Sequence, residues 1–194
     1  MKKLLFVDCC ISQRGEASRT LALANAYLTA FAEKHPDWTV ERVDVAALEL
    51  APLTAELLNE RDALAQRGEF DHALFAHART FSAADAVVVA APYWDLSYPA
   101  QLKLYVEHIS ANGLCYHYTQ TGCVGDCRAE KLVYLTSGGD FEQEESIGVL
   151  HFRQLCRMFG IKEFGYVFAG GVDIDPAKTP LLMEQAFAKA RELV

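Results

Sequence analysis

The sequence predicts one α/β domain of 194 residues built on a doubly wound, five-stranded parallel sheet with helices on both faces. Two observations carry that prediction. Five short runs rich in Leu, Val and Phe alternate with longer segments of helical periodicity. No linker, repeat or low-complexity tract divides the chain, whose length suits a single core. Parallel neighbours require crossovers, so strands that alternate with helices imply a parallel sheet.

Residues 3–9 form the first run, apolar enough for a strand buried on both faces. Residues 18–34 follow with Leu21, Ala24, Leu28, Phe31 and Ala32 at helical spacing, Ser18 as N-cap and His35-Pro36 as the stop. Residues 38–45 read as the second strand. Residues 46–70 carry helical propensity but weak periodicity and read as a surface excursion. A short helix is expected over 71–83, and Val87-Val88-Val89 centres the clearest buried strand, 86–91. Residues 99–111 read as a helix ended by Asn112-Gly113. Strands over 131–136 and 163–169 flank a helix over 146–159 closed by Gly160. The last helix has Thr179 at its N-cap and Pro180 at its first position.

Composition excludes several classes of function. A formal net charge of -8 opposes a nucleic-acid-binding surface, so an anionic ligand must be held by local geometry such as a helix N-terminus. Asp8 ends the first apolar run too early for a signal peptide, and no stretch is long enough to span a bilayer. The chain reads as cytoplasmic, and its six cysteines as reduced thiols. Cys123 and Cys127 have a metal-compatible separation, but no second well-spaced pair completes a tetrahedral set, so no metal is expected.

In a doubly wound sheet ligands collect beyond the carboxyl ends of the strands. Three loops stand there. The first, 10–17, joins the first strand to the helix opening at Ser18; it suits a phosphate, but lacks both the P-loop and the dinucleotide glycine patterns, and an ordinary connection looks similar. The second, Ala91-Pro92-Tyr93-Trp94-Asp95-Leu96-Ser97-Tyr98-Pro99, brackets three aromatics with two prolines, suiting a flat ligand or a subunit contact. The third, Thr136-Ser137-Gly138-Gly139-Asp140, has paired glycines that permit close approach of a ligand or merely make a turn.

Together these loops resemble those of the flavodoxin-like, FMN-dependent NADH:quinone oxidoreductases, often called azoreductases. Ala91 to Leu96 lines up with that family's Ala-Pro-x-Tyr-Asn-Phe segment, continued by Gln101-Leu102-Lys103 and Tyr105. Tyr116-His117-Tyr118-Thr119 with Gly122 is similar to its hairpin over the flavin site, and Thr136 to Gly139 to its Thr-Ser-x-Gly-Gly loop, one residue shorter. The resemblance implies a flavodoxin-like sheet of order 2-1-3-4-5 and FMN as cofactor. It also implies hydride transfer from NADH or NADPH to a small aromatic acceptor: a quinone, azo compound or nitroaromatic. Ser18 and the backbone of Glu16 and Ala17 would hold the FMN phosphate, with Cys10 beside it. Pro92, Tyr93, Trp94, Asp95 and Leu96 would run along the ring, one backbone N–H facing N5. Ser137, Gly138, Gly139 and Asp140 would contact its pyrimidine side. Tyr118 and Phe159 would border the acceptor pocket, and the chain would form a homodimer.

The family has Ser at the positions of Cys10 and Glu16 and Asn at that of Asp95. A Glu side chain beside a phosphate must turn outward, and Asp95 adds negative charge near the flavin. The implied chemistry is the cofactor's, so no side chain is assigned as a catalytic nucleophile, and His117 reads as a hairpin polar residue or a proton donor. Two other readings stand beside it: a flavodoxin-like carrier of single electrons, and a flavin-free binding protein whose cysteines sense redox state or metal.

Overall fold

A computed structural model describes residues 1–12, 14–142 and 144–194, and of Glu16 the backbone alone. Five strands pair in parallel: β1 (Lys3–Asp8), β2 (Thr39–Asp44), β3 (Ala86–Ala90), β6 (Lys131–Ser137) and β7 (Glu163–Ala169). β4 (Tyr116–Thr119) and β5 (Gly122–Gly125) form a separate antiparallel hairpin. The sheet runs β2-β1-β3-β6-β7, which is order 2-1-3-4-5 among its own five strands.

Burial follows the hydrophobic runs. β3 is buried at every position, while β2, at the sheet edge, alternates half-buried and exposed residues. Successive side chains point to opposite faces, so the apolar strands feed two cores. Leu5, Val7, Val87, Val89, Leu132 and Tyr134 pack on one face with α3 (Ala76–Ser82), α4 (Ala100–Ile109) and α5 (Ile147–Phe159). Leu4, Phe6, Val88, Val133, Leu135 and Val167 pack on the other with α1 (Arg19–Lys34) and α6 (Thr179–Glu192). Burial of apolar area at about 25 cal/mol per Å² drives both layers.

Residues 46–70 hold a helix after all, α2 (Ala55–Gln66), preceded by a 3-10 turn over Val45–Leu48. Its periodicity is weak because Leu64 alone among its residues is buried. The last helix also differs: Lys178 takes the cap position, and the Thr179 hydroxyl donates to the carbonyls of Val172 and Asp175. No helix among the described residues is long and apolar enough to cross a membrane.

Candidate active site

The site grows from the end of β1. Asp8 is 3% exposed, and its carboxylate accepts from the backbone N–H of Cys10 at 2.9 Å and from Arg42 of β2 at 2.5 Å. The chain then passes through a 3-10 turn, Gly15–Ala17, into α1. The Ser18 hydroxyl accepts from the N–H of Leu21 at 3.3 Å, so Ser18 is the N-cap the sequence predicts. The N–H groups of Arg19 and Thr20 meet no acceptor among the described residues. These are the orphan donors of a 16-residue helix, at the positive end of its dipole. The Cys10 thiol lies half-buried behind Ser18; burial, then the Asp8 carboxylate, push its pKa well above the ordinary thiol range. Burial pushes Cys9 up to about 12, so both remain uncharged thiols at neutral pH.

The second loop is a tight turn. The Trp94 N–H donates to Ser97 O at 3.2 Å, and the Ser97 N–H to Trp94 O at 2.8 Å. Between them Asp95 and Leu96 have φ of +49° and +65°, both in the left-handed region, the pattern of a type I′ turn. The Tyr93 N–H donates to Ser137 O at 2.9 Å. The N–H groups directly after Pro92 are therefore used internally, and those of the loop that meet no acceptor among the described residues belong to Asp95 and Leu96 at the tip and to Tyr98 beyond it.

The third loop needs its glycines for space, since neither Gly138 nor Gly139 has a positive φ. A Cβ on Gly138 would lie 2.7 Å from Phe168 and 3.0 Å from Tyr93, whose rings meet edge to face at 5.0 Å. A Cβ on Gly139 would lie 2.8 Å from the Asp173 carboxylate. A fourth loop, after β7, completes the wall and escaped the sequence reading. Asp173 donates its N–H to Gly139 O at 3.1 Å, and its carboxylate pairs with Arg19 across the opening. The signal for it was present in Gly170-Gly171, a second glycine pair at a strand end.

These loops enclose a cleft of about 340 Å³. Ala17, Ser18, Pro92, Tyr93, Trp94, Ser137, Gly138 and Gly139 line it, joined by Arg19, Thr20 and Asp173. Thr20 and Ser137 tie two of its walls by a hydroxyl–hydroxyl bond of 2.6 Å. A second cavity of about 390 Å³ shares Tyr93 and is lined by Leu96, Asp140, Phe141, Ile147 and Phe168. Asp95 is exposed at the turn tip, and the Glu16 side chain lies outside the described residues. A larger cavity, about 450 Å³, lies beside Phe31, Trp38 and Lys131. It is at the opposite end of the strands, away from the carboxyl ends where such sheets bind ligands.

The hairpin splits the two residues expected at the acceptor pocket. Tyr118 is 67% exposed, whereas Phe159 is fully buried against Phe81 and Tyr116, so its ring supports the hairpin from below and presents no surface. Gly125 lies so close to the backbone of Phe159 and Gly160 that a Cβ would fall 2.0 Å from it. The His117 ring pairs with Asp126 at 2.8 Å. No cluster of three or more His, Cys, Asp or Glu residues suited to a metal occurs among the described residues.

Comparison with known proteins agrees with this geometry. The family model described as flavodoxin-like fold matches residues 2–194, and the chain belongs to that family. The FMN-dependent NADH:quinone oxidoreductase of Clostridium beijerinckii is 29% identical over 194 residues, covering 99% of this chain and 98% of the relative. The FMN-dependent NADH:quinone oxidoreductase 2 of Clostridium acetobutylicum is 28% identical over 198 residues, with 99% and 98% covered. Among solved structures, an azoreductase from Bacillus anthracis superposes with a TM-score of 0.88 at 24% identity, covering 100% of this chain and 98% of that one. An FMN-dependent NADH-azoreductase from the same species, in complex with FMN, gives 0.81 at 17% identity, with 100% and 97% covered.

Proposed function

We propose that this chain is an FMN-dependent oxidoreductase that passes hydride from NADH to quinone acceptors, for which its relatives are named, and to azo acceptors, for which the solved structures are named. The observation that carries the reading is the convergence of three strand-end loops and the α1 N-terminus on one cleft. The residues present fit FMN. Two unoccupied helix N–H donors and the Ser18 hydroxyl proton suit its phosphate. Pro92, Tyr93 and Trp94 face Ser137, Gly138 and Gly139 across the same cleft, which suits a flat ring.

When bound, FMN would supply the redox chemistry, the relay of hydride between a nicotinamide and an acceptor. The protein's part is to hold and orient. Arg19 and Thr20 N–H with Ser18 fix the phosphate end. The N–H of Asp95 or Leu96 is the donor available to the ring edge, and Ser137 to Asp140 border its polar side. The Tyr93–Phe168 pair and the Thr20–Ser137 bond keep these walls in register. Leu96, Ile147 and Leu150 on the body and Tyr118 and Val124 on the hairpin are exposed apolar groups, and we assign them to a homodimer contact. Six free cysteines suit a reducing compartment.

Steady-state kinetics with NADH and a benzoquinone test the reading. Parallel double-reciprocal lines, the mark of hydride held between two half-reactions, are expected. Absence of quinone-dependent NADH oxidation by the FMN-loaded protein would refute it.

A further inference from the structure

We propose that Arg19, which lines the cleft together with Arg14, is the anchored countercharge that makes it selective for a phosphorylated flavin, and that Asp173 is the built-in anion against which the phosphate competes. The inference rests on the FMN reading above and extends it from the backbone N–H of Arg19 to the side chains of Arg19 and Asp173. A chain of net charge -8 must attract a phosphate dianion by a local field. Arg19 is the first residue of α1, immediately after the Ser18 cap and at the mouth of the cleft, so its guanidinium and the orphan N–H groups share one location. That guanidinium is anchored across the mouth by Asp173. Asp173 in turn is pinned by its own N–H to Gly139 O and by the contact that excludes a side chain at Gly139.

An arginine has five donors in a planar fork, so Arg19 can turn part of it to a phosphate at the helix end while its position stays set. Asp173 then competes with the phosphate for the guanidinium and opposes the incoming negative charge. The pair so placed favours a ligand whose charge exceeds that of one carboxylate. It offers nothing to the same ring system without the phosphate.

The test is equilibrium titration of the full-length chain, freed of flavin, with FMN and with riboflavin, read by flavin fluorescence. Arg19→Gln is expected to weaken FMN by about tenfold or more, the usual worth of a hydrogen bond to a charged group, and to leave riboflavin within about twofold. Arg19→Lys should retain part of the preference. Asp173→Asn should tighten FMN several-fold with riboflavin unchanged, and this arm stands alone if Arg19→Gln does not fold. The inference is overturned if Arg19→Gln weakens both flavins equally, which marks a structural role, or if neither variant moves the FMN-to-riboflavin ratio. A wild-type chain that binds neither flavin defeats the FMN reading itself and this inference with it. A wild type that binds FMN while the variants keep its ratio defeats this inference alone.

Discussion

Asp8 shows how one residue anchors the site. A carboxylate 3% exposed is held by one backbone N–H and by Arg42, whose own side chain is more than half exposed. Removing Arg42 leaves that charge nearly buried with a single donor, so Arg42→Ala should cost about 3 kcal/mol in a denaturant titration. Adding Asp8→Asn to it should recover much of the loss. Gly138 is a second such point. A methyl there collides with Phe168 and Tyr93, so Gly138→Ala should lose about 1–3 kcal/mol, seen as a lower Tm, and weaken FMN binding in the same protein. At this scale the sequence was legible in part. Ser18 was readable as a cap because a hydroxyl before an amphipathic run has few other uses. The glycine pair was readable as a site but not for its cause, because the ring that crowds Gly138 comes from Phe168, thirty residues away. The left-handed backbone at Leu96 was invisible: nothing local asks a leucine to bear the roughly 1–2 kcal/mol that this conformation costs.

Elements join at the site through α5 and the second loop. The Tyr98 hydroxyl bonds His151 Nδ1, and the two rings stack at 5.9 Å. Burial, then the nearby Lys103 charge, lowers the pKa of His151 below the ordinary histidine value. The folded ring stays neutral at a pH where the unfolded one takes up a proton, so the unfolded state binds more protons as pH falls. Stability should therefore decline on acidification through about pH 6.5 and below. His151→Gln should flatten that slope in thermal unfolding followed between neutral and mildly acid buffer. Elements with a buried face were legible in the sequence: β7 spans the residues expected, and α5 has its Ser146 cap and left-handed Gly160. α2 was not, since a helix that buries one leucine leaves little periodic trace. The Asp173 loop was missed because its role depends on pairing with Arg19, 154 positions away.

The whole molecule carries two opposing features: a strongly negative chain and a cleft whose mouth holds Arg14 and Arg19. That contrast favours an anionic ligand at the cleft over one elsewhere on the negatively charged chain. The exposed apolar groups of α5 and the hairpin predict assembly. Sedimentation equilibrium should give twice the 21.5 kDa chain mass, and Ile147→Glu with Leu150→Glu should shift it to the monomer, because charge in an apolar contact is unpaired. The order of the sheet was legible at this scale because crossover rules leave few topologies for alternating strands and helices.

For hydride transfer, the cleft at the ends of β1, β3 and β6 must hold FMN where a nicotinamide can reach it. The direct measurement is the visible flavin band of the FMN-loaded protein under anaerobic conditions, before and after NADH, and again after a quinone is added. The band is predicted to bleach with NADH and to return with the quinone. A protein that takes up no FMN, or whose flavin band persists after NADH, would contradict it.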